Sequence, residues 1–158
     1  MRSVIFFACA LALSAEPAAA DGPSSSGAGV LALAALVGVH SPTLASQQKQ
    51  ALADMLDGKL NFPSNASFAV AADSVVCRQS DVDISYHDCT LKFGAATRLL
   101  NGRGAHELYA TLIENGVPSD GAAGSSYESV SHLACTINLA EVKQKGGDGA
   151  TCAWAPGP

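Results

Sequence analysis

The sequence predicts an α+β fold: a small, mostly antiparallel sheet covered by a central amphipathic helix over residues 104–115, with one or two N-terminal helices and two disulfides. Three observations carry this reading. Ala105, Leu108, Tyr109, Leu112 and Ile113 recur at i, i+3, i+4, i+7 and i+8, which puts all five on one side of a helix. The segments on both sides of that helix have the composition and alternation of strands. Four cysteines, Cys77, Cys89, Cys135 and Cys152, are distributed over those strand-like segments. Strands before and after one helix, without a repeating βαβ order, favour α+β over a doubly wound fold.

Taken in order, residues 1–20 have the form of a secretory signal. Arg2 supplies the positive start, Val4–Leu13 the apolar run and Ala18-Ala19-Ala20 the cleavage site. The apolar run is too short to span a membrane, so no span is expected after cleavage. Residues 21–29 are small and polar and read as a flexible leader, which leaves 30–158 as a single α+β domain. Val30–Val39 is apolar on all sides and only ten residues long, which fits a buried helix. The competing reading is a membrane-surface segment, but the basic face of such helices is missing. Leu44–Leu56 is amphipathic through Leu44, Ala51, Leu52, Met55 and Leu56, with Thr43 as the expected N-cap and Gly58 as the stop.

Asn61–Ser67 is a loop, and Asn65-Ala66-Ser67 within it matches a glycosylation sequon. Ser67–Cys77, Val82–Tyr86 and Cys89–Phe93 read as strands. The apolar phase changes between Tyr86 and Cys89, which predicts a bulge or tight turn at His87-Asp88. Gly94-Ala95 turns into a further strand, Thr97–Leu100, which Asn101-Gly102 closes. The central helix follows, with Arg103, Glu107, Thr111 and Glu114 left for its wet side and Gly116 and Pro118 to stop it. Pro118–Ser126 is a glycine-rich loop, Tyr127–Leu139 a strand, and Ala140–Lys145 at most a helical turn. Gly146-Gly147-Asp148-Gly149 turns the chain into a last strand, Ala150–Trp154.

Cysteine usage bounds the compartment. Cys9 departs with the signal, and an even number in an exported chain implies disulfides. Four cysteines allow three pairings; Cys77–Cys89 with Cys135–Cys152 is favoured because each closes a short local loop. No C-x-x-C pair is present, so no metal centre is expected. The net charge of −5 argues against nucleic acid, whose binding needs a basic surface. No cofactor motif is present.

Candidate chemistry is sparse. Ser46-Gln47-Gln48-Lys49 fits the S-x-x-K spacing of a lysine-activated serine. The later elements of such a site are replaced: Val82 stands where Asn is needed and Gly146-Gly147 where Thr-Gly is needed. The histidines are scattered. Asp83, Ser85 and His87 would share one side of an unbroken strand, and His106 lies on the central helix beside Glu107. Gly102, Arg103 and Gly104 sit where a strand meets a helix N-terminus, a place that offers free N–H groups and a favourable dipole to an anion or acidic partner. The expectation drawn from all this is a secreted or periplasmic, non-catalytic binding, inhibitor or accessory protein with a protein partner. Its contacts would come from loop 78–88 or loop 118–126. The alternatives are a small hydrolase using His87 or His106, and an envelope-associated structural protein tethered through Val30–Val39.

Overall fold

The computed structural model describes residues 24–62, 67–80, 83, 87–117 and 127–156. The expected signal, the sequon asparagine, the Val82–Tyr86 strand (apart from Asp83) and the glycine-rich loop 118–126 lie outside them. Among the described residues the chain runs β1 (Ser24–Ser26), α1 (Ala28–Gly38), α2 (Ser46–Leu56), β2 (Ser67–Ala72), β3 (Ser74–Gln79), β4 (His87–Phe93), β5 (Ala96–Asn101), α3 (Gly102–Glu114), β6 (Tyr127–Asn138), α4 (Leu139–Lys145), a 3₁₀ turn (Gly146–Gly149) and β7 (Ala150–Pro156). This is an α+β fold in which every strand pairing is antiparallel.

The strand order is β1-β7-β6-β3-β4-β5, with β2 also on β6. The long strand β6 joins two halves. Its C-terminal part pairs with β2 and its N-terminal part with β3, on the same side and in one register: Ala72 faces Leu133 and Val75 faces Val130. Ser67–Gln79 is therefore one strand interrupted at Asp73. Burial changes parity at that interruption. Phe68, Val70 and Ala72 are buried before it, Val75 and Cys77 after it. A period-2 pattern changes parity only where the chain bends or bulges, and β6 carries a bulge against β7 at the same level, between Val130 and His132. Asp73 fixes the corner: its N–H donates to Lys92 O at 2.8 Å, and its carboxylate accepts the N–H of Gly94 in the β4–β5 turn.

Each half has its own helix. α3 lies on β3–β4–β5, and α1 lies on β2–β6–β7 and against α3. Val30, Leu33, Ala34, Ala35 and Val37 of α1 are buried with Ala105, Leu108, Tyr109 and Leu112 of α3 in one core. The uniformly apolar run thus belongs to a core helix. α2 crosses α1 at Gly38, where an added Cβ would stand 2.4 Å from Leu52 Cδ1.

Both disulfides form the favoured pairs, Cys77–Cys89 and Cys135–Cys152. Each joins directly opposed residues on adjacent strands. Their Cα separations of 4.1 and 4.0 Å fit the closer, non-hydrogen-bonded kind of antiparallel pair.

Several local expectations change. Ser24–Ser26, read as part of a leader, pair with Ala153–Thr151 of β7, and α1 begins at Ala28. The cap of α2 is Ala45, whose N–H donates to Gln48 Oε1 at 2.8 Å, while the Thr43 hydroxyl pairs with Ser41 instead. Thr111 is buried on α3 rather than wet, and its hydroxyl donates to Glu107 O. Ile113, expected inside, is 47% exposed, because the buried face of α3 runs through Leu108, Thr111 and Leu112 and Ile113 falls outside it. Residues 139–145 form two turns of helix capped by Asn138 Oδ1, which accepts the N–H groups of Ala140 and Glu141. No helix among the described residues is long and apolar enough to cross a membrane.

Candidate functional site

The sequence expected a break at His87-Asp88. Instead β4 starts at His87 and alternates without interruption: His87, Cys89, Leu91 and Phe93 are buried. His87 opposes Gln79 and Asp88 opposes Arg78 in regular register. This alternation separates two candidate places on the β3–β4–β5 half.

The first is the outward face. Val76, Arg78, Asp88, Thr90, Leu99 and Asn101 line an open trough of about 430 Å³ on the side of the half-sheet away from α3. The expected loop 78–88 is shorter than read: Arg78 pairs with Asp88 and Gln79 with His87, so the ladder continues past the Cys77–Cys89 bond and the trough lies beside these last rungs. β5 ends the strand order, and no strand among the described residues pairs with its outer edge. On it Leu99 is 78% exposed, a large apolar side chain with no cover. At the end of β5, Asn101 passes into α3 through Gly102 at φ 60°. The side chain of Asn101, the N-cap residue, makes no capping hydrogen bond. Gly102 directly follows Asn101, which lines the trough, and Gly104 is exposed in the first turn of α3. Arg103 points away into solvent, 92% exposed, and pairs with Glu107 at 2.7 Å. An exposed i,i+4 pair of this kind contributes only a few tenths of a kcal/mol, about 0.3–0.5.

The second place is the inward end of β4. His87 is 1% exposed, and its Nδ1 lies 3.2 Å from Nδ1 of His106 on α3. The two rings meet edge to face with centroids 4.7 Å apart. Tyr109, one turn further along α3, also packs against His87, with ring centroids 4.5 Å apart. His106 remains accessible from solvent. The pairing brings together the two histidines that the sequence offered separately. Among the described residues the two rings contact each other, and His87 also contacts Tyr109; Ser85 of the expected polar face lies outside the described residues. The signal for this lay in the spacing: His87 is two residues from Cys89, so in any strand containing both they point the same way. His132 and His40 lie elsewhere, on β6 and after α1.

Ser46 and Lys49 occupy the first turn of α2, where Ser46 is exposed. All four described cysteines are tied in disulfides, which leaves the imidazoles as the nitrogen or sulfur groups able to act as soft ligands in this region. Comparison with protein-family models, curated proteins and solved structures finds no match.

Proposed function

We propose that this chain is an exported, disulfide-braced binding domain that acts as an inhibitor or accessory protein by holding an extended segment of a protein partner along β5 and the trough beside it. Leu99 carries the reading: a large apolar side chain 78% exposed on an edge strand, above a trough lined by both charged and neutral polar groups. An open edge offers a row of unpaired N–H and C=O groups to an added strand, and alternate side-chain pockets give the added strand its register. The Cys77–Cys89 cross-link stiffens the sheet under the trough, which lowers the ordering cost of binding. The buried disulfides and the signal-like first 20 residues support an oxidising, extracytoplasmic setting.

The test is site-specific photo-crosslinking from position 99 in the oxidised protein, against extracellular and envelope fractions of the producing cell. A discrete protein partner is expected, attached through an extended segment. Leu99→Lys, at an exposed site, leaves folding intact and weakens capture by at least about tenfold. A partner captured equally by wild type and Leu99→Lys, or one that attaches equally well from an unrelated surface position, removes this site.

A further inference from the structure

Two imidazoles from different elements converge where β4 meets α3. Their separation carries information. A first-row divalent ion binds imidazole nitrogen at about 2.0–2.1 Å, so two cis nitrogens on one ion stand roughly 2.9 Å apart at a right angle and roughly 3.3 Å apart at a tetrahedral angle. The Nδ1 atoms of His87 and His106 are 3.2 Å apart, inside that interval. We propose that His87 and His106 form a two-histidine site for a borderline divalent cation, zinc or copper(II), with water completing the coordination.

In the metal-free pair one ring donates its Nδ1 proton to the other. Binding replaces that shared proton: the donor ring moves its proton to Nε2, both Nδ1 lone pairs then face the ion, and no proton is lost from the pair. The surroundings suit this exchange. His87 is held by its place in β4 and by Tyr109 against its ring, so one ligand is fixed in advance. His106 is exposed, which gives the ion a route in and leaves room for water. The chain is acidic overall, at −5, which favours a cation. With the thiols oxidised, imidazole is the preferred ligand here for these ions. No motif marks the pair because the two residues are 19 positions apart, outside the short spacings typical of zinc sites. The ion would join β4 to α3, elements separated by the whole of β5.

Zinc or copper(II) alone, as a simple salt, is titrated into the oxidised full chain by calorimetry. One-to-one binding is expected, with a rise in melting temperature, because an ion bound only by the folded state stabilises it. His106→Ala changes an exposed residue and keeps the fold. It is expected to weaken binding by at least about tenfold and to abolish the thermal shift. In the copper(II) form, electron paramagnetic resonance is expected to show two coordinated imidazole nitrogens in wild type and one in His106→Ala. His132→Ala serves as the control and leaves all three readouts unchanged. Absence of one-to-one binding, a titration that His106→Ala does not shift, or one that His132→Ala weakens instead, overturns the site. None of these outcomes bears on capture through Leu99.

Discussion

The Cys89 sulfur lies 3.4 Å from the carbonyl oxygen of Ala105, so the first disulfide is roofed by the opening turn of α3. The second repeats the arrangement: the Cys152 sulfur lies 3.8 Å from Val30 O in the opening turn of α1. A disulfide sulfur carries no proton, so these are packing contacts rather than hydrogen bonds. Each half of the bent sheet is thus a cross-linked strand pair with one helix seated on the cross-link.

Removal of either bond by paired Cys→Ala substitution is therefore expected to cost about 3 kcal/mol, from the entropy of a short closed loop together with the lost packing under a helix. Chemical denaturation of Cys77→Ala/Cys89→Ala and of Cys135→Ala/Cys152→Ala measures this. Equal midpoints for wild type and either double variant would contradict it. Loss of the first pair also loosens the trough, so partner capture falls in that variant even under conditions where it stays folded.

Two glycines with similar surroundings in sequence have opposite roles. Gly147 of the 3₁₀ turn packs on the start of α1, and a Cβ there would stand 2.0 Å from the Ala28 nitrogen and 2.3 Å from the Gly27 carbonyl carbon. Both atoms are backbone, so the turn and the helix must separate. Gly147→Ala is expected to destabilise by about 3 kcal/mol or more. Gly104, in the first turn of α3, has open space around its Cβ position and no left-handed φ. Gly104→Ala is expected to stabilise by about 0.5–1 kcal/mol. Melting temperatures that move in the same direction for both would refute the assignment.

The regular elements were legible because their patterns were local. The spacing of Ala105, Leu108, Tyr109 and Leu112 depends only on helical geometry, and all four are buried where that geometry puts them. The disulfide pairing was legible because both loops are short. What the sequence hid depends on contacts between distant segments. Ser24–Ser26 have no strand character of their own; their pairing to β7 supplies it. The corner at Asp73 is invisible because its partners are Lys92 and Gly94, about twenty residues on. The His87 phase was misassigned because Val82, Ile84 and Tyr86 set an alternation that β4 does not continue. Of the candidate site, loop 78–88 was legible as a Cys-bounded loop. The trough beside the last rungs of its ladder was not, since β5 brings Leu99 and Asn101 to it from the far side of a hairpin.

Trp154 is 3% exposed at the end of β7, and its indole Nε1 finds no hydrogen-bond partner among the described residues. A buried donor without a partner carries a desolvation cost of about 1–3 kcal/mol. Trp154→Phe removes that donor and keeps most of the apolar surface. The change is expected to cost less than about 1 kcal/mol, well below the 3–5 kcal/mol typical of truncating a buried aromatic, whereas Trp154→Ala should cost that full amount. Denaturation midpoints of the two variants provide the comparison. A Phe variant as unstable as the Ala variant would show that the indole N–H is satisfied in solution.

His40 follows α1 and sits half-buried. Burial, and then the positive charges of Arg98 on β5 and Lys49 on α2, hold its pKa below the ordinary 6.5. All three causes disfavour the charged ring in the folded chain. Between the folded and unfolded values the unfolded chain therefore binds more protons, and stability rises with pH across that interval. The contribution of His40 is fully present above its unfolded pKa. It is lost as pH falls through 6.5 and on through the depressed folded value, below which both states carry the charge. Substitution His40→Gln removes the titration while keeping a polar side chain of similar reach. The difference in unfolding free energy between wild type and His40→Gln is thus expected to favour wild type most at neutral pH and to shrink steadily as the solution is acidified below about pH 6.5. Taking the difference cancels the carboxylates, which titrate alike in both proteins. A difference that is flat across this window, or that grows on acidification, would place His40 outside the field of Arg98 and Lys49.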